Sequence, residues 1–149
     1  GGAAHAVAYA ITTMKPDCFY VYNIDVPMIE DMIKKLKLKN IIYGDITKTK
    51  EKDEILRNAD FIVNTTSVGM HNSSVIYKLP DLKKGAVVYD VIYNPAKTEF
   101  LKLAEKKGAG IINGLDMLIY QGMESFKIWT GKNSDYNLIN KKMKEYFKK

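Results

Sequence analysis

Arginine is almost missing from this chain: of its 23 basic residues only Arg57 is one. Guanidinium forks are the usual readers of base edges and phosphates. A formal net charge of +6 carried by scattered lysines is therefore read as solvated helix faces, with no nucleic-acid partner expected. Cysteine is reduced to Cys18, which excludes an intramolecular disulfide framework and a cysteine-rich metal site. The two histidines, His5 and His71, stand far apart and leave zinc without a ligand set, so no metal is expected. No apolar run approaches the roughly 18 residues of a membrane-spanning helix. The expectation is a soluble, cytoplasmic globular protein with no membrane partner.

Present instead are 149 residues, 46% of them hydrophobic and 27% charged, enough to bury a core. Residues 3–14 are small and apolar and suit a buried helix. Residues 18–22 (CFYVY) read as a buried strand. Helical spacing recurs over 26–38, 50–58, 98–107, 115–130 and 136–147, and short apolar runs mark strands at 41–43, 61–63, 86–92 and 110–112. Strand and helix alternate, which predicts an α/β fold: a mostly parallel sheet with helices on both faces. In such sheets ligands lie beyond the carboxyl ends of the strands. The loops of interest are then Gly1-Gly2, Asn23-Ile24-Asp25, Asn64 to Gly69, Tyr93-Asn94-Pro95 and Asn113-Gly114.

Four of these carry chemistry. Gly1-Gly2-Ala3-Ala4-His5-Ala6 opens a helix, where glycine lets backbone N–H groups approach a pyrophosphate. Asn23-Ile24-Asp25 follows roughly 20 residues on, where a dinucleotide fold places a polar or acidic residue on the adenosine ribose. The same residues also read as an ordinary turn with an N-cap aspartate. Asn64 to Met70 is a polar loop after an apolar strand, suited to a polar ligand or to turn chemistry. Gln121 lies seven residues past Gly114, two helical turns, so a backbone contact and a side-chain amide can face one ligand. Both histidines read as solvated or capping groups, and no nucleophile–base pair suggests itself.

Taken in order, Gly1 to Ala6, Asn64 to Met70, Tyr89 to Pro95 with Thr98, and Asn113 to Leu118 with Gln121-Gly122 and Phe126 to Gly131 resemble the carboxyl-terminal half of shikimate dehydrogenases over essentially the whole chain. The resemblance implies a Rossmann-like, doubly wound domain whose first strand is missing. Residues 1–113 would be an NAD(P)-binding domain truncated at its start, and residues 114–149 helices that complete it and pack toward an absent amino-terminal substrate domain. It implies reversible reduction of 3-dehydroshikimate to shikimate in chorismate and aromatic amino acid biosynthesis. Gly1, Gly2 and Ala3 would sit at the pyrophosphate, Asn23, Ile24 and Asp25 at the ribose, Thr65 along the cofactor, and Val91 and Gly114 at the nicotinamide. Tyr93 and Gln121 would touch shikimate. The family's catalytic Lys–Asp pair belongs to the absent domain, so no catalytic residue is expected here and the chain alone is expected to be inactive. A homodimer is compatible with the resemblance.

The family's usual Asn-Arg-Thr reads here Asn23-Ile24-Asp25. NADP is the family cofactor, yet a carboxylate repels a 2′-phosphate and accepts from a free 2′-hydroxyl, which leaves room for NAD. An NAD-preferring quinate/shikimate dehydrogenase and a non-catalytic nucleotide-binding module are the alternatives. The opening Gly1-Gly2 reads as the middle of a motif, so the expectation is a fragment.

Overall fold

The computed structural model describes residues 1–147; Lys148 and Lys149, the end of the basic tail, lie outside them. Eleven elements follow in order: α1 (Gly2–Thr13), β1 (Phe19–Asn23), α2 (Val26–Leu36), β2 (Ile41–Asp45), α3 (Lys52–Asn58), β3 (Phe61–Asn64), β4 (Val87–Asp90), α4 (Glu99–Lys106), β5 (Gly110–Ile112), α5 (Leu115–Thr130) and α6 (Tyr136–Phe147). The chain divides into two compact units, Gly1–Leu56 and Arg57–Lys149. All strand pairs are parallel, so the expected parallel α/β organisation holds.

In the first unit β1 pairs, among the described residues, with β2 alone, in the register Phe19↔Ile41 to Asn23↔Asp45. Asp25 starts α2: its carboxylate accepts from Met28 N at 3.3 Å, and a proline follows in the first turn. Ile29 and Met32 of α2 and Ala8 of α1 form a small core against Phe19 and Val21. Tyr20 and Tyr22 alternate to the other face of β1, with ring centroids 6.5 Å apart. Two expectations of burial are corrected here. In α1 only Ala8 is buried, while Tyr9 and Met14 are exposed. A helix of 3.6-residue period in contact with α2 along one stripe leaves its other faces to solvent. Every residue of β1 is half-buried and Cys18 is exposed, because β1 has a ladder on one edge alone.

In the second unit β4 lies between β3 and β5, with Phe61↔Val87 to Asn64↔Asp90 on one side and Val87↔Gly110 to Tyr89↔Ile112 on the other. Val88, Ile92, Phe100, Leu101 and Ala104 are nearly sealed from solvent. The Thr98 hydroxyl accepts from Leu101 N at 3.3 Å and caps α4. Gly108 (φ 78°) and Gly131 (φ 71°) follow α4 and α5 in left-handed backbone. The strand anticipated over 86–92 leaves its ladder after Asp90, because Ile92 N turns back to the Asp90 carboxylate at 3.2 Å.

Candidate functional site

Each unit carries its own share of the anticipated site. In the first, α1 begins at Gly1 without a side-chain cap, so its leading N–H groups have no side-chain acceptor. A Cβ on Gly1 or Gly2 would meet nothing within 4 Å. The His5 ring lies 3.0 Å from the Gly1 carbonyl oxygen, a local contact within the first turn of α1.

Beyond β1 the chain makes a tight polar turn. Asn23 Oδ1 accepts from Asp25 N at 3.3 Å, and Asp25 Oδ1 caps α2. Ile24, between them, is 73% exposed. Asp45 was not anticipated. It is the register partner of Asn23 at the end of β2, and Ile46 N donates to Asn23 O at 3.1 Å. Bonds from the Thr47 hydroxyl (2.6 Å) and amide (2.8 Å) hold its carboxyl below the ordinary carboxylate range, with a weaker contribution from Lys48. Asp45 lies two residues past the strand read at 41–43, and β2 extends to include it.

In the second unit the strand ends are tied together. Asn64 and Asp90, 2% and 0% exposed, are register partners at the ends of β3 and β4. Asn64 Nδ2 donates to Asp90 Oδ1 at 3.2 Å, and the Thr98 hydroxyl donates to Asp90 Oδ2 at 2.7 Å. Asn64 therefore faces inward and closes the turn onto Thr66, the turn chemistry that the sequence left open beside a ligand role. Thr65 follows it, half-buried.

Val91 and Gly114 are brought together. Gly114 N donates to Ile92 O at 3.1 Å, and a Cβ on Gly114 would overlap the Val91 carbonyl group and stand 3.0 Å from its Cα. Only glycine allows α5 to start this close to the backbone leaving β4. Asn113 fixes the approach from both ends: its amide donates to Ala96 O at 2.9 Å and its carbonyl accepts from Leu115 N at 3.1 Å. Tyr93 is half-buried with its ring centroid 5.4 Å from that of Phe147 in α6. Gln121 lies on an exposed face of α5.

α5 and α6 are joined by a polar seam. The Tyr136 hydroxyl donates to Asp116 Oδ1 at 2.6 Å and accepts from Asn140 at 2.9 Å, and the Tyr136 and Tyr120 rings stack at 5.0 Å. The bond to Asp116 pushes the Tyr136 phenol up to about 12. Among the described residues no group of three His, Cys, Asp or Glu side chains could hold a metal ion, and no helix is long and apolar enough to cross a membrane.

Comparison with known proteins places this geometry. Residues 114–144 match the shikimate 5′-dehydrogenase C-terminal domain. A shikimate dehydrogenase (NADP(+)) of Methanococcus maripaludis is 44% identical over 147 residues, which are 95% of this chain and 50% of that protein. A crystal structure of a shikimate dehydrogenase in complex with NADP+ is similar with a TM-score of 0.78 at 31% identity, over 100% of this chain and 53% of the other. Quinate dehydrogenase from Corynebacterium glutamicum in complex with NAD gives 0.82 at 26% identity, over 97% and 52%. The chain thus spans about half the length of the curated relatives it matches. The Rossmann-like α/β fold follows from these neighbours.

Proposed function

The chain belongs to the shikimate dehydrogenase family, matching the carboxyl-terminal half of its members, and on that premise we propose that it is the nucleotide-binding part of an NAD(P)H-dependent enzyme that reversibly reduces 3-dehydroshikimate to shikimate. The observation that carries the reading is the Val91–Gly114 junction. It packs the start of α5 directly against the backbone leaving β4, at the carboxyl end of parallel strands, where such folds take their ligands.

In this reading the start of α1 holds the pyrophosphate through Gly1, Gly2 and Ala3, and Asn23, Ile24 and Asp25 face the adenosine ribose. Thr65 lies along the cofactor, and Tyr93 and Gln121 orient the substrate. Residues 1–113 form the cofactor domain, and residues 114–149 complete it and lean toward a substrate domain. When bound, the cofactor supplies the hydride; the residues of this chain orient both reactants. The acid that protonates the ketone oxygen is assigned to the other half of the enzyme, so the chain alone is inactive. The enzyme acts in the cytoplasm, in the route to chorismate and aromatic amino acids. The test is reduction of 3-dehydroshikimate by the protein that joins this chain to the other half its relatives have. Cofactor binding without reduction by that protein would leave the non-catalytic module in its place.

One observation favours a second reading, an NAD-preferring quinate/shikimate dehydrogenase. Exposed Ile24 stands where a basic clamp would be, and Asp25 and Asp45 put two carboxylates at the ends of neighbouring strands. A 2′-phosphate meets repulsion there, while a free 2′-hydroxyl meets acceptors. A kcat/KM with NADPH at least about tenfold above that with NADH, about 1.4 kcal/mol, would overturn this preference and leave the NADP enzyme.

A further inference from the structure

We infer that Asp90 is a positioning residue for the nicotinamide end of the site, holding Thr65 and Val91 in place through a buried network with Asn64, Thr66 and Thr98. The inference rests on the dehydrogenase reading above. The Asp90 carboxylate is fully buried and takes three donors: Asn64 Nδ2 and Ile92 N, each at 3.2 Å, on one oxygen, and the Thr98 hydroxyl at 2.7 Å on the other. Asn64 relays the constraint. Its carbonyl oxygen accepts from Thr66 N at 2.9 Å and from the Thr66 hydroxyl at 2.8 Å, and its amide also reaches Val68 O at 3.4 Å. The Thr66 hydroxyl in turn accepts from Val68 N at 3.2 Å.

Packing alone does not account for this arrangement. A buried carboxylate is costly to desolvate, and an apolar side chain of similar volume usually serves stability as well or better. What a carboxylate adds is direction. Asp90 joins atoms from three separate segments: the end of β3, the turn after β4, and the N-cap of α4. The clamps also fall on particular residues. Thr65 lies between Asn64 and Thr66, both held; Val91 lies between Asp90 and Ile92, both held, and its N–H donates to Asn64 O at 3.0 Å. Both bracketed residues are themselves half-buried. The network therefore fixes the backbone of the two residues proposed to border the cofactor. Misplacement of about 1 Å at such a site can cost on the order of a hundredfold in rate.

The experiment compares variants of the full two-domain protein by steady-state kinetics, circular dichroism and urea unfolding. Asp90→Asn keeps the volume but turns one acceptor into a donor. It is expected to lower kcat/KM for the nicotinamide cofactor about tenfold or more, while KM for 3-dehydroshikimate moves less than about twofold. Thr66→Ala removes the outer clamp from a half-buried loop position and should lower the same constant about threefold; Thr66→Ser, which keeps the hydroxyl, should restore it. Should Asp90→Asn not fold, the Thr66 pair decides alone. Folded variants with cofactor kcat/KM within about twofold of the parent overturn the inference, as does lowered urea resistance with unchanged kinetics. A parent protein that neither binds nor oxidises NADPH or NADH overturns the dehydrogenase reading and this inference together, whereas a working parent with indifferent variants overturns the inference alone.

Discussion

The turn after β1 and the turns after β3 and β4 lie at equivalent places in two parallel ladders, yet they are held differently. After β1, Asn23 and Asp25 spend their side chains on local bonds, and Ile24 points to solvent. After β3 and β4, Asn64, Asp90 and Thr98 are each at most 2% exposed and bond across segments. Residues of the first turn can change without disturbing a core; those of the second cannot. In the proposed enzyme this separates the part of the site that chooses between cofactors from the part that must hold the reacting ring still.

The largest expected effect tests the rigid side. Gly114→Ala places a methyl group inside the Val91 carbonyl and should lower unfolding free energy by about 3 kcal/mol, read from urea denaturation. Thr98→Val should cost about 2 kcal/mol in the same assay, since it removes both the α4 cap and a donor to a buried carboxylate. On the permissive side, Ile24→Arg should leave stability within about 0.5 kcal/mol. It should raise the NADPH-to-NADH ratio of kcat/KM about tenfold by supplying a 2′-phosphate partner. A stability loss from Ile24→Arg equal to that from Thr98→Val would erase the contrast. The smallest effect belongs to Tyr136→Phe. Because the folded phenol is raised from 10.0 to about 12 by its bond to Asp116, the stabilisation is complete below pH 10 and is lost as pH rises through about 12. The parent and Tyr136→Phe proteins should therefore differ in urea midpoint at neutral pH and converge above that range.

Much of this contrast was legible in the residues. The spans of β5, α5 and α6 coincide with those read from periodicity, and the other elements shift by a few residues at their ends. Glycine at 114 marked the start of α5, whereas the capping role of Thr98 shows only in the structure. Three more things were hidden. Alanine-rich α1 gave no sign of how much of it lies exposed, because burial depends on which neighbours it meets. The inward turn of Asn64 depends on Asp90, 26 residues away, and no local pattern reports such a pairing. Asp45 mattered only through its register with Asn23, which a single strand does not encode.

Strands β1 and β3 each carry ladder bonds on one edge, among the described residues. An open strand edge is a template for another strand, and both present aromatic and β-branched residues, Phe19 to Tyr22 and Phe61 to Val63. Edges of this kind are where sticking between copies of residues 1–149 would begin. A short, soluble strand-forming peptide that caps either edge would then act as a solubilising additive for the chain, with light scattering as its gauge.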